Sequence, residues 1–293
     1  MRRVVIGLIL IAVIASLCCA AHAKSVLITH KFKQGQADTY RMSIDMTMEM
    51  PQLQCGPDCV KMSIGATLKQ KVLDVWEDGS ARIETSYTNF KVKMVGVDQS
   101  QCQTIPDQTM VITLSSDRRV LGIEGMENFV ANTQMPGFDF SQMATQMGYY
   151  GAFPQGPIEI GQSWRNTMPM PFGSGQMNVD STLLAAALPV GKEVASKIKQ
   201  DYEAYIDLST LFDAVASSMQ VSNQGSGMIQ MNGGVDIDGW TVLYFSPERG
   251  RLVKANGKME ALMSLEMPAE AVAQGAPQQL NMKMNMALNI ARL

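Results

Sequence analysis

The sequence predicts an all-β protein with minor helix, built as a strongly curved antiparallel sheet or half-barrel. The main observation is strict alternation of apolar and polar residues along four stretches, in which the apolar residue is very often methionine. These stretches are 40–50, 60–68, 259–267 and 280–290. A period of two places the apolar side chains of each stretch on one face of a strand. A second observation is the tight-turn sequence Asp78-Gly79, which favours a two-residue hairpin.

The elements follow in chain order from the same two signals. Strands are predicted near 26–32, 39–50, 60–76, 81–95, 109–115, 119–123, 163–170, 176–188, 193–207, 227–237, 240–246, 251–267 and 279–292. Apolar residues at helical spacing predict short helices over 124–134, 139–147 and 208–220. Pro136 ends the first of these helices, and Ser209 is a suitable N-cap for the last.

The N-terminus has the form of a secretory signal peptide over 1–23. Arg2 and Arg3 precede an apolar run, and Ala21-His22-Ala23 is a small-x-small cleavage site. The run is too short to span a membrane, so no membrane-spanning segment is expected after cleavage. We therefore expect a single β domain over 24–293, exported to the periplasm or the extracellular space.

The two halves of that domain resemble distant copies, over about 24–135 and 158–293. Three features recur in the same order: a strand opening at Gly-Gln, a tight turn, and a second turn followed by Arg-Val-Leu or Arg-Leu-Val. The order favours an internal duplication. An apolar loop over 136–157 links the copies, and we expect it to cover an open end of the barrel.

The five cysteines suggest two modifications. Cys18 and Cys19 lie in the signal peptide, where acylation would anchor a lipoprotein; neither follows the small residue that lipidation requires, so anchoring is the less favoured alternative. In an exported protein, Cys55 and Cys59 are expected to form a disulfide beside a hairpin tip, because Gly, Pro and Asp separate them. A redox or metal pair is the alternative, and Cys102 is able to pair with either.

The charge of the chain argues against two classes of partner. Without Arg2 and Arg3, 22 basic residues face 27 acidic ones, a net charge of −5. Because no run of Lys and Arg is present, we expect neither nucleic acid nor an anionic membrane surface as a partner.

The methionines are the candidate site. Methionine is an adaptable filler of apolar space, so a half-open barrel lined by it would suit a hydrophobic ligand such as a lipid chain. The predicted ligand-lining residues are Met42, Met46, Met48, Met62, Met282, Met284, Met286, Phe138 and Phe140. A closed core is one alternative. Binding of Cu(I) by the soft thioethers is another alternative. A copper site would gather methionines with histidine or cysteine, but only one histidine, His30, remains after cleavage, and we expect it to be exposed.

No catalytic constellation is recognisable in the sequence. It contains no Gly-x-Ser-x-Gly elbow, zinc-ligand spacing, phosphate loop or dinucleotide fingerprint. Asp236 and Asp238 resemble the start of a calcium loop, but they alternate with apolar residues as on the outer face of a strand. We therefore expect no enzymatic activity, no cofactor and no metal site of these kinds.

Three short motifs carry a family resemblance: Lys31-Phe32-Lys33-x-Gly35-Gln36, Asp78-Gly79, and Phe153-Pro154-x-x-Pro157-x-x-x-Gly161-Gln162-Ser163-Trp164. With them the chain resembles a family of exported bacterial β-proteins of unknown function, which implies export and a large antiparallel sheet. It is more loosely similar to the open barrels of periplasmic lipoprotein carriers, which hold acyl chains on a concave face. That likeness implies a carrier of a hydrophobic ligand; a structural or interaction protein of the cell envelope is the alternative.

Overall fold

The computed structural model describes residues 25–51, 55–96, 100–115, 120–125, 153–169, 176–208, 232–267, 272–273, 275 and 277–293. For 55–59 and a few other strand residues it describes the backbone alone. The predicted signal peptide, Phe138, Phe140 and nearly all of the three predicted helices lie outside these ranges.

Twelve antiparallel strands form one sheet among the described residues, which confirms the all-β class. They are β1 (Ala37–Met50), β2 (Cys55–Val75), β3 (Ala81–Val95), β4 (Ser100–Ile105), β5 (Gln108–Leu114), β6 (Val120–Glu124), β7 (Ser163–Pro169), β8 (Gln176–Val190), β9 (Glu193–Asp207), β10 (Asn232–Ser246), β11 (Arg251–Glu266) and β12 (Gln279–Arg292).

The first and last strands lie side by side at the centre of the sheet. The strand order is β6-β5-β3-β2-β1-β12-β11-β10-β9-β8-β7, and β4 pairs with β3 beyond the end of β5. The first half of the chain therefore runs from β1 at the centre outward to β6 at one edge. The second half runs from β7 at the other edge inward to β12 at the centre. The sheet is open, because β6 and β7 at its two ends do not pair with each other within the described residues.

The sheet is strongly curved. Five strand spacings of about 4.8 Å would separate β3 from β10 by about 24 Å if the sheet were flat. Instead, Ile83 of β3 and Leu243 of β10 line one cavity. The concave face of this half-barrel carries the core. The convex face carries the charged residues that alternate with it.

A segment that we name the strap, residues 25–36, crosses one end of the concave face. Val26 forms an isolated bridge with Ile158, and the Lys31 amide donates a hydrogen bond of 3.4 Å to the Gly250 carbonyl. Ile28 and Ile158 are fully buried in the main core cluster. The prediction of a strand over 26–32 is thus wrong. Apart from the single bridge at Val26, the strap forms no ladder with a neighbouring strand among the described residues.

Two glycines open the two halves with the same geometry. Gly35 and Gly161 both have a positive φ, of 78° and 87°. The Gly35 amide donates to the Val72 carbonyl, and the Gly161 amide donates in the same way to Leu183. These matching turns support the internal duplication, which stays a prediction.

Two local predictions are wrong. Residues 227–237 and 240–246 do not form two strands; from Asn232 they form the single strand β10, which continues through Gly239. Cys55 and Cys59 do not flank a hairpin tip, because both already lie in β2, which begins at Cys55. Residues 56–59 form a bulge, since the register passes from Met48 opposite Val60 to Met50 opposite Cys55.

Candidate functional site

The concave face encloses a cavity of about 160 Å³ near the strap. Side chains from seven strands line it, together with His30 of the strap and Phe153. Most are apolar, and Leu243, Phe245 and Ala255 are at most 3% exposed. The cavity therefore has the apolar lining typical of a site for a small hydrophobic molecule.

His30 belongs to an aromatic cluster at the wall of this cavity. Its ring lies edge-on to Phe245 with 4.7 Å between centroids and is stacked on Phe153 at 5.5 Å. Its Nδ1 is 3.2 Å from the Gly250 carbonyl oxygen. The expectation that His30 is exposed is wrong, because the strap carries it into the half-barrel and leaves it half-buried.

Five methionines form one row across five adjacent strands. In sheet order from β3 to β11, this methionine ladder consists of Met94, Met62, Met46, Met286 and Met259. Side chains directly opposite each other on neighbouring strands have Cβ atoms about 4.5–5.5 Å apart, so consecutive methionines of the ladder are neighbours on the same face. Met94 at the outer end is 43% exposed, and the other four are half-buried.

A second, smaller cavity connects the ladder to the first one. It measures about 50 Å³ and is lined by Met259 and Met286 of the ladder. It shares Thr241 and Leu288 with the larger cavity. Ladder and cavities thus form one continuous apolar strip along the concave face.

The predicted site residues divide into three groups. Met42 lines the larger cavity and Met286 the smaller one. The others with described side chains share the same face, half-buried, without lining either cavity; they are Met46, Met48, Met62, Met282 and Met284. Phe138 and Phe140 lie outside the described residues.

The predicted disulfide has no support. The side chains of Cys55 and Cys59 lie outside those described, no disulfide is present among the described residues, and Cys102 is an exposed free thiol.

Thr85 and Gln70 are among the polar residues of the cavity wall that sequence reasoning missed. They lie opposite each other on β3 and β2, and both line the larger cavity. Thr85 is only 2% exposed, and its Oγ1 has no hydrogen-bond partner among the described residues. One signal was present: Thr85 shares the inward parity of Ile83 and Tyr87 in the alternating pattern of β3.

A cluster of four charged side chains, the ion cluster, lies beside the strap end of the cavity. Arg251 donates to Asp38 at 2.7 Å and to Glu193 at 2.8 Å. Arg292 also donates to both carboxylates, at 2.9 Å to Asp38. The side chains of Asp38, Glu193 and Arg251 are at most 9% exposed. Two positive and two negative charges balance, and together they join β1 to β9, β11 and β12.

The convex face carries a wider groove of about 840 Å³ that is open to solvent. Three of its carboxylates form ion pairs with neighbouring cations, for example Asp180 with Arg165 at 2.5 Å. Hydrogen bonding from Arg165 lowers the pKa of Asp180. These surface pairs account for the polar lining, so the groove is a weaker candidate than the enclosed apolar cavity.

Within the part of the chain that the structure describes, no group of three or more His, Cys, Asp and Glu could hold a metal ion. None of the described helices has the length and hydrophobicity needed to cross a membrane. Comparison with protein-family models gives no match to this chain, and comparison with curated proteins gives none either. The resemblance to exported bacterial β-proteins is therefore still a prediction.

Proposed function

We propose that this protein is a non-catalytic, exported binding protein that holds a hydrophobic ligand, such as an acyl chain, on the concave face of its half-barrel. The observation that carries the proposal is the continuous apolar strip formed by the two cavities and the methionine ladder. One end of the ligand would fill the larger cavity, and the rest would lie along the ladder.

Cavity size limits how the ligand is held. A cavity of about 150 Å³ lined by Leu, Ile and Phe accepts a molecule the size of benzene in another protein. The larger cavity here, at about 160 Å³, is of that size. A whole phospholipid does not fit into it, so a longer ligand must extend over the half-buried methionines, whose unbranched side chains adapt to varied shapes.

Solvent extraction and reporter displacement test the proposal. The chain from residue 24 onward is purified, extracted with organic solvent for mass spectrometry, and titrated with a fluorescent fatty acid and its unlabelled competitor. We expect a co-purified apolar molecule or a displaceable reporter. If no compound is extracted and the reporter does not bind, the proposal is contradicted. That result would favour an envelope structural or interaction protein with a closed core.

A pair of variants tests whether the ligand binds in the larger cavity. Ala255 is 2% exposed and lines the larger cavity, whereas Ala287 lies on the convex face. Ala255→Leu adds three carbons to the cavity and is expected to weaken reporter binding at least tenfold. Ala287→Leu makes the same change on the other face and is expected to leave it unchanged. Equal effects would contradict this placement.

Binding of Cu(I) is the second candidate, favoured by one observation. Met62, Met46 and Met286 are consecutive in the ladder, which allows three soft thioether ligands to approach one ion. Titration with Ag(I), a redox-stable substitute for Cu(I), is expected to show stoichiometric binding that Met46→Leu abolishes. Because that substitution keeps the side chain apolar, fatty-acid binding would survive it. Absence of stoichiometric Ag(I) binding to the unmodified chain would dismiss this candidate.

A further inference from the structure

The larger cavity has a polar spot, formed by Thr85 and Gln70, in a mostly apolar wall. Thr85 is 2% exposed, and its hydroxyl oxygen is buried without a hydrogen-bond partner among the described residues. Gln70 lies directly opposite Thr85 on the neighbouring strand and lines the same cavity. A buried hydroxyl without a partner costs about 1–3 kcal/mol, so its retention at this position needs a reason.

From this we infer that the ligand carries one uncharged hydrogen-bonding group, which binds Thr85 and Gln70 at the wall of the larger cavity. The inference rests on the proposed function and names its ligand class. The hydroxyl of Thr85 and the carboxamide of Gln70 both donate and accept hydrogen bonds. A hydroxyl, a carbonyl or an amide on the ligand therefore satisfies them.

An ionised group at this spot would have no acidic or basic partner of fixed charge. Among the described lining residues of the larger cavity there is no Asp, Glu, Lys or Arg, and the one histidine, His30, packs against Phe153 and Phe245 with its Nδ1 3.2 Å from the Gly250 carbonyl oxygen. An ionised carboxylate moved from water into such a wall loses its hydration without gaining an ion pair. The ligand class is thus a small neutral amphiphile, an alcohol, phenol or amide with an apolar body, or a longer chain that ends in such a group.

Phenol and toluene are matched probes, because they differ by a hydroxyl in place of a methyl group and have the size that the cavity accepts. Their affinities for the unmodified chain and for Thr85→Val are compared by calorimetry. Valine keeps the shape of threonine, so the variant is expected to fold. The ratio of phenol affinity to toluene affinity should fall about tenfold in Thr85→Val, which corresponds to one hydrogen bond.

Two further variants serve as controls. Thr113 lies on β5 between Ile112 and Leu114, which line the cavity, so its side chain points to the opposite face. Thr113→Val is expected to keep the ratio of the unmodified chain, and so is Thr85→Ser, which retains the hydroxyl. Benzoate is expected to bind more weakly than phenol.

The outcomes separate the inference from the proposed function. An unchanged ratio in Thr85→Val, as expected if a water molecule alone satisfies the hydroxyl, overturns the inference while toluene binding still supports an apolar site. Benzoate binding as tightly as phenol also overturns it. If the chain binds neither phenol nor toluene, both the inference and the placement of the ligand in this cavity are overturned.

Discussion

The two ends of the concave face differ in how they are held. At the strap end, β1, β9 and β11 are joined by the ion cluster, and the strap packs an aromatic cluster over the core. At the methionine end, four of the five ladder residues are half-buried, and their adaptable side chains cover the face. One sheet thus combines an end held by buried ion pairs and a packed core with an end lined by adaptable side chains. A binding site that fixes one end of its ligand and accommodates the rest needs this combination.

The largest expected effect comes from breaking the ion cluster. Arg251→Met leaves the buried carboxylates of Asp38 and Glu193 with Arg292 as their one remaining cationic partner in the cluster. Removing one member of a buried pair costs about 3–5 kcal/mol, so we expect a loss of about that size in the free energy of unfolding, measured with urea. Arg249→Met, in the exposed turn two residues earlier, is expected to change it by less than about 0.5 kcal/mol. Equal losses would show that the cluster does not stabilise the strap end.

Truncating one apolar side chain at each end compares their packing. Leu243 is 3% exposed in the main core, whereas Met46 is half-buried at the centre of the ladder. Leu243→Ala is expected to cost about 3 kcal/mol of unfolding free energy and Met46→Ala about 1 kcal/mol. A loss as large for Met46→Ala as for Leu243→Ala would mean that the methionine end is packed as rigidly as the strap end.

Two glycines of similar backbone conformation isolate the contribution of the strap. Gly250 and Gly191 have φ values of 62° and 60°. A Cβ on Gly250 would lie 2.0 Å from the Lys31 amide nitrogen, whereas nothing lies within 4 Å of one on Gly191. Gly191→Ala should cost about 1 kcal/mol, the penalty of the left-handed conformation.

Gly250→Ala should cost about 1–2 kcal/mol more and speed proteolysis within the strap, because Lys31 must move away. Thermal unfolding and limited proteolysis measure the two effects. If the two alanine variants unfold alike, the strap does not pack against the turn as described.

The regular part of the sheet could be predicted closely from the sequence. Alternation between good turn sequences predicted β3 and β9 to the residue. The sequence predicted an interruption between two strands at Asp238-Gly239, but β10 continues through both residues. Gly239 instead allows the neighbouring strand to lie close, because a Cβ on Gly239 would lie 2.7 Å from the Lys258 carbonyl oxygen. A local turn signal cannot be told from such a contact without the neighbouring strand.

The site could be predicted in part. The alternating pattern correctly placed the methionines of each strand on one face. Their alignment into a ladder depends on the pairing register between strands, which the sequence of a single strand does not contain. The ion cluster was missed because Asp38 and Arg251 are 213 residues apart and carry no local signal. Thr85 and His30 were missed because polar residues are usually exposed, and only tertiary packing places these two in the cavity wall.

Xenon binding tests the central claim, that the concave face contains a cavity able to accept an apolar molecule. The chain from residue 24 onward is labelled with ¹³C at the methionine methyl groups, and its spectrum is recorded under increasing xenon pressure, with signals assigned by single Met→Leu variants. Xenon enters dry apolar cavities, so the methyl signal of Met42 should shift saturably, those of Met259 and Met286 less, and that of exposed Met94 not at all. No saturable shift at Met42, or equal shifts at all four, would contradict the account.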